Sequence, residues 1–360
     1  MKTDSEPVYI LGVGMVRGWA DASSSLTDLI FASVSAALDD SGVDIQAIDS
    51  VVLAAHDLVD GRSLSSMVTA PAAGAYLRDE IRLASDGLSA LSLASARVEA
   101  GETEYSIVAA WGRESEGNYA RTSRAGFDPI FEQAFGADEF TLSALRLSAW
   151  SARHGCPDDA REAAAAARRD RARNNPRASA EGRRPMLATP LVADDAPLMA
   201  DIAVAAIIGR KAGPVRIAGF GHGTASPLIG ARDLVGADAL ADAIRLATDQ
   251  AGFGARDAQA LFIDGATLSD EALALEVLGL AEAGQGYAAY AANAAINPGG
   301  GGESGWCYPT CGLVNAVEAY LQLTGRAGAC QLPGKPSRAL ATGLSAMGGQ
   351  AAYAAFLEAA

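Results

Sequence analysis

The chain has 360 residues, half of them hydrophobic, with 28 Lys and Arg against 43 Asp and Glu and a formal net charge of −15. That length supports one large core or two medium ones. So acidic a surface excludes nonspecific nucleic-acid binding, which draws on clustered Lys and Arg.

Four cysteines (Cys156, Cys307, Cys311, Cys330) form no Cys-x-x-Cys pair, and only three histidines accompany them. A metal site therefore has no support, and the thiol content fits a reducing compartment. The first seven residues are acidic without an apolar signal core, and no apolar run reaches the length of a membrane span. These features read as a cytoplasmic protein with no membrane and no nucleic-acid partner.

In chain order, residues 8–14 form an apolar run ending Gly12-Val13-Gly14, a strand. Residues 26–40 carry helical periodicity and are closed by Gly42. Val51 to Ala54 read as a buried strand, followed by His56 and Asp57. Residues 88–99 are an amphipathic helix ending at Gly101, and 105–111 a buried strand. Residues 112–140 hold Gly, Arg and aromatics with little periodicity and read as a loop region. Residues 142–154 and 158–174 read as helices, and 203–209 as a strand.

The opening pattern then returns at Val215, with Gly219-Phe220-Gly221, a helix at 239–250, Gly252, and an apolar run from Leu261 to Asp264. Strands at 338–343 and 351–357 close the chain. Strand, helix, glycine stop and strand, occurring twice, predict an α/β protein of two duplicated halves. The halves are residues 1–210, including a loop region at about 112–200, and 211–360. Parallel strands with helices on both faces are expected. A Gly-x-Gly alone is weak evidence for a nucleotide site; here the glycines read as closing a turn between strand and helix.

The densest glycine run is Asn297-Pro298-Gly299-Gly300-Gly301-Gly302-Glu303-Ser304-Gly305-Trp306-Cys307-Tyr308-Pro309-Thr310-Cys311-Gly312, followed at once by an amphipathic stretch from Leu313 to Leu323. Such a loop lets backbone N–H groups approach a ligand closely. Through Gln322-Leu323-Thr324-Gly325 it resembles the active-site loop and helix of the thiolase superfamily, Asn-x-x-Gly-Gly, Gly-His-Pro-x-Gly-Ala-x-Gly, then Glu-x-x-x-Gln-Leu-x-Gly. Further resemblance lies in Arg153-His154-Gly155 with Asn174-Asn175-Pro176-Arg177-Ala178, in Pro197 to Ala205, and in Glu276-Val277-Leu278-Gly279-Leu280. These resemble the sterol-carrier-protein type of thiolase and its lipid-transfer-protein-like relatives. The resemblance covers nearly the whole chain. It implies the thiolase fold, two βαβ halves in five α-β-α-β-α layers, and a coenzyme A thioester as substrate with no tightly bound cofactor. By the same resemblance Asn297, Gly300, Gly301, Gly305 and Gly312 are the ligand-binding positions.

The departures are as specific as the match. The family's nucleophile is a cysteine in Cys-x-Ser-Gly at a helix start, where the positive helix end lowers the thiol pKa. With Gly87 and Ala90-Leu91 in register, Ala84 takes its place. The Gly-His-Pro histidine falls on Trp306, or on Cys307 if the loop shortening lies elsewhere. The second catalytic cysteine falls near Ser345. Candidates for residual chemistry are Ser85, one residue from the nucleophile position; Cys307, near a helix start; Tyr308, a general acid if held beside Asp264; and His222, at a strand end. Asp86 reads as a helix N-cap, Cys307 as an inert buried thiol unless activated, and His56 as an interface residue. Arg168, Arg169, Arg171, Arg173, Arg177, Arg183 and Arg184 form a solvated helix face and loop, or a landing place for a CoA phosphate.

Two functional classes follow from the resemblance. One is a supporting subunit without the nucleophile and histidine, paired with a catalytic thiolase paralogue and with a small OB-fold protein. The other is an acyl-CoA C-acyltransferase or retro-aldol lyase with a rewired site. Either implies a constitutive dimer, homodimer or heterodimer, with residues 105–111 and 112–117 expected at the interface edge.

Overall fold

The computed structural model describes residues 6–60, 66–344 and 348–360. Its strands are β1 (Val8–Gly18), β2 (Ser50–Ala54), β3 (Asp79–Leu83), β4 (Tyr105–Arg113), β5 (Asp201–Gly209), β6 (Val215–Thr224), β7 (Ala260–Phe262), β8 (Arg338–Leu344) and β9 (Ala351–Ala359). The helices are α1 (Leu26–Ser41), α2 (Asp57–Asp60), α3 (Ser66–Thr69), α4 (Gly87–Ala100), α5 (Tyr119–Ser123), α6 (Glu139–His154), α7 (Asp158–Asn174), α8 (Asp238–Ala251), α9 (Leu268–Val277), α10 (Gly286–Ala292) and α11 (Cys311–Leu323). Gly42, Gly101 and Gly252 end α1, α4 and α8 in the left-handed conformation, at φ 65°, 81° and 78°. Those stops are what the sequence encodes most locally.

The strands join in the order β3-β2-β4-β5-β1-β6-β9-β8-β7. The order is symmetric about the β1–β6 contact, where Val8–Ile10 pair with Val215–Ile217. β5, β4 and β2 on one side are matched by β9, β8 and β7 on the other. Where β3 stands in the first half, a parallel bridge from Leu261 to Ile296 stands in the second. The half-sheets are thus hydrogen-bonded into one nine-stranded sheet.

The sheet is mixed, not parallel as expected. β2 pairs in parallel with β3 and β4, and β7 with β8, but β5 and β9 run against both their neighbours. For β9 the connectivity accounts for it: β8 and β9 are joined by a short link, which fits an antiparallel pair and not a crossover.

The two Gly-x-Gly runs lie inside β1 and β6 and close no turn. A Cβ on Gly14 would overlap Ser33 O of α1, and one on Gly221 would overlap Ala243 O of α8. These glycines let each outer helix lie directly on its strand. α1 covers the first half-sheet, α8 with α6, α7, α9 and α10 covers the second, and α4 and α11 pack between the two.

α11 is buried along its whole length, Cys311 to Leu323. The stretch read as amphipathic has no solvent face, because its polar stripe is bonded internally. Asn315 Nδ2 donates to Thr342 O at 2.9 Å, Gln322 Nε2 to Cys330 O at 2.7 Å, and Glu318 receives Arg177.

The expected interface edge also moves. β4 is interior, paired with β2 and β5, and the terminal strand of the first half is β3, with Asp79 and Glu80 exposed. Among the described residues no helix is long and apolar enough to cross a membrane.

Candidate functional site

The N-termini of α4 and α11 meet at the centre of the molecule, and one side chain caps both. Asp86 Oδ1 accepts the Leu88 N–H at 2.8 Å and Oδ2 accepts the Gly312 N–H at 2.8 Å. The carboxyl is fully buried. Gly312 and Gly343 make room for it, since a Cβ on either would overlap Asp86 Oδ1. Burial drives the Asp86 carboxyl well above its usual range and Asp264 adds to the shift, while the capping N–H groups oppose it. Asp86→Ala should lower stability by about 1–2 kcal/mol, the cost of a lost cap, read as a reduced urea midpoint. Asp86→Asn, which retains one acceptor, should recover part of that loss.

An aromatic cluster closes the site beside Asp86. Tyr308 stacks on Tyr119 with ring centroids 5.3 Å apart, Trp306 meets Tyr119 edge-on at 5.1 Å, and His56 meets Tyr308 edge-on at 6.4 Å. Trp306 Nε1 donates to Asp264 Oδ1 at 3.3 Å. Two buried carboxyls flank this cluster. Glu114 is pushed up to about 8 by burial, partly offset by Arg183. Glu139 is pushed up to about 7 by burial, and its Oε2 accepts the Gly348 N–H at 2.6 Å. Glu114 Oε2, Glu139 Oε1, the Tyr119 hydroxyl and His56 Nδ1 are buried without a hydrogen-bond partner.

The thiols lie in the wrong field for nucleophiles. Cys307 is fully buried, with Sγ 3.9 Å from Glu114 Oε1. Cys311 Sγ donates to Cys307 O at 3.1 Å, and burial together with Asp264 and Asp86 pushes its thiol well above the usual range. A reactive thiolate wants a positive neighbourhood; although Arg17 lines the same cavity, burial, Asp264 and Asp86 outweigh it at Cys311, and Cys307 faces Glu114.

The glycine loop holds an anion that belongs to the protein. Glu271 of α9 accepts from Arg168 Nη2 at 2.7 Å, from Asn297 Nδ2 at 2.9 Å and from the Gly302 N–H at 3.3 Å. Asn297 also brackets Ile263, accepting its N–H and donating to its carbonyl. Gly300 (φ 93°) lies against Ala172 and Gly305 (φ 125°) against Ala200.

Residues 221–357 match the model of the thiolase C-terminal domain-like family. No curated protein matches the sequence. Among solved structures, one described as "Ltp2-ChsH2(DUF35) aldolase" aligns with a TM-score of 0.80 at 18% identity, covering 98% of each chain. Human mitochondrial 3-ketoacyl-CoA thiolase aligns at 0.71 and 15% identity, over 98% of this chain and 99% of its own. An acetyl-CoA acetyltransferase from Syntrophomonas wolfei aligns at 0.68 and 16%, over 99% and 100%. The fold is that of the thiolases.

On this thiolase fold the sequence-predicted positions separate. Asp264, Trp306, Cys307 and Tyr308 come together with Asp86 at the helix junction. Ala84 is exposed and offers only a methyl group, and Ser85 is half-buried beside it. His222 is exposed on β6, stacked on Tyr353 at 4.4 Å, outside the aromatic cluster. Ser345, like Gly61 and Arg62, lies outside the described residues. His56 meets Tyr308 edge-on at the cluster.

Tyr119, Glu114 and Glu139 were not singled out, because they sit in or beside the aperiodic segment and carry no motif. The basic run is no simple solvated face. Arg168 is spent on Glu271, Arg171 on the carbonyls of Ile296 and Tyr290, Arg177 on Glu318 and Arg184 on Glu303.

Proposed function

We propose that this thiolase-fold chain is a supporting subunit of a hetero-oligomeric assembly acting on acyl-CoA thioesters, in which a partner supplies the nucleophile. The observation that carries the reading is Asp86. Acyl transfer from a thioester needs a nucleophile and N–H donors aimed at the developing oxyanion. At the helix junction those donors are already taken by a fixed protein carboxyl, and the nearby thiols face acids. Retention of the scaffold without this chemistry is what a paired subunit requires, since a fold does not by itself carry activity.

The free edge β3 is the place for a partner strand to extend the sheet. The name of one fold relative joins two proteins, Ltp2 and ChsH2(DUF35), which supports a hetero-oligomeric assembly; the partners proposed for this chain are a thiolase paralogue and a small OB-fold protein.

The isolated chain should show no thiolysis of acetoacetyl-CoA. Co-expressed with a thiolase paralogue encoded beside it, it should elute as a complex whose turnover is abolished by mutating the partner's cysteine alone. Turnover by the pure chain that is lost in Cys307→Ser would overturn the proposal.

One observation favours a second reading, cleavage by acid and base. Asp264 is half-exposed and lines both a cavity of about 30 Å³ and another of about 60 Å³, and its charge helps raise the Tyr308 hydroxyl, after burial, Asp86, Glu139 and Cys311. In a retro-aldol reaction of a β-hydroxyacyl thioester a carboxylate takes the hydroxyl proton. The carbon–carbon bond then breaks, its electron pair forms the thioester enolate, and an acid returns a proton to carbon. Release of an aldehyde or ketone from a β-hydroxyacyl-CoA by the pure chain, abolished in Asp264→Asn, would establish this reading in place of the first.

A further inference from the structure

Behind the glycine loop, two guanidinium groups share one carboxylate. Arg17, at the end of β1, has a side chain 4% exposed, and its Nη1 lies 3.4 Å from Glu318 Oε1. Arg177 takes the same carboxylate through Nη2 to Oε2 at 2.5 Å and Nε to Oε1 at 3.2 Å. Asn175 Nδ2 adds a weaker bond to Oε1 at 3.4 Å. Glu318 is 6% exposed and is the only acid among the described residues that pairs with either arginine. The cluster therefore carries one positive charge in excess.

The excess falls on Arg17. Arg177 keeps a fifth of its side chain exposed and donates Nη1 to Ala327 O at 3.2 Å. Arg17 Nη1 reaches the Arg177 carbonyl at 3.3 Å, but its Nε is buried and donates to nothing. Burial lowers the Arg17 pKa by more than Glu318 restores, whereas Arg177, with the bidentate contact, moves the other way. An unpaired buried charge costs several kcal/mol unless something neutralises it. Arg17 and Glu318 line a cavity of about 30 Å³, together with Asn175, Asn315, Thr310 and Trp306.

We propose that this cavity holds a small monovalent anion, of halide or small-carboxylate size, on the Arg17 guanidinium. One charge is all that remains to be balanced. The glycine-loop donors that would cradle a larger polyanion are committed to Glu271, and Asp264 also lines the cavity. The cavity borders Asp264, Trp306, Cys307 and Cys311 of the helix junction, and the anion site stands whether or not the subunit reading holds.

Bromide and chloride test it on the full-length protein. Crystals soaked in sodium bromide should show an anomalous peak in the cavity, against the Arg17 guanidinium. At equal ionic strength, chloride should raise Tm by about 3 °C over gluconate, which is too bulky to be enclosed. In Arg17→Met that difference should vanish. A bromide map with no peak in the cavity overturns the proposal, as does a chloride gain that survives in Arg17→Met. If Arg17→Met does not fold, the bromide map of the unaltered protein decides alone.

Discussion

Glu271→Ala should lower unfolding stability by about 3–5 kcal/mol, the range for breaking a buried ion pair by removing one partner. Both side chains of the Arg168–Glu271 pair are 1% exposed. Removing the carboxylate strands the Arg168 guanidinium, whose other contacts are two long bonds of 3.4 Å to the carbonyls of Asp195 and Ala196 and whose Nε already lacks a partner. It also leaves Asn297 Nδ2 with the Ile263 carbonyl alone and the Gly302 N–H with no acceptor. Arg168→Met should cost a similar amount by the opposite route, an unpaired buried carboxylate. The double variant Arg168→Met/Glu271→Leu should recover most of the loss, because replacing both charges with packed hydrophobes removes the desolvation penalty along with the attraction. Urea unfolding of the four proteins gives the cycle. If the two single losses add in the double variant, the pair is not the organiser of the glycine loop.

The same pair shows where sequence reasoning stops. The glycine run at 297–312 announces a backbone that must come close to an anion, and it does. That the anion is Glu271, inside an apolar helix 26 residues earlier than Asn297, is a tertiary fact with no local signature. The halves were legible because their signals are local: an apolar run, a helical period, a glycine in the left-handed conformation, each occurring twice. The direction of β5 and β9 was not, since an apolar strand reads alike whichever way its neighbours run. Nor was the edge, because 105–111 and 79–83 differ in burial only after the sheet is ordered.

Asp86 was legible as the cap of the helix it precedes. Its second bond, to Gly312, spans 226 residues, and it is that bond which turns a cap into the occupant of the site. Glu114, Tyr119 and Glu139 carried no periodicity and no motif, and their burial is what gives them significance.

Those buried acids set a pH dependence opposite to ordinary acid denaturation. Glu114 titrates at about 8 and Glu139 at about 7 in the folded chain, against an ordinary glutamate pKa near ~4.3 in the unfolded chain. Between those values the folded state holds protons that the unfolded state has released. Stability therefore falls as pH rises, from about pH 4.5 until each group has ionised near 7 and 8. The two together should cost on the order of several kcal/mol between pH 5 and pH 8.5. Glu318 works in another window: burial alone would raise it, but Arg17 and Arg177 hold it below the usual range, so its contribution is lost only on acidification below about pH 4.5. Urea midpoints measured from pH 5 to 8.5 should decline steadily in the unaltered chain. Glu114→Gln and Glu139→Gln keep the shape of the neutral acid and cannot ionise, so each should flatten the decline, and the pair should leave only the part owed to Asp86, whose carboxyl burial also raises. A midpoint that rises with pH, or a slope untouched by both substitutions, would mean that these carboxyls ionise normally and that the helix junction is open to water.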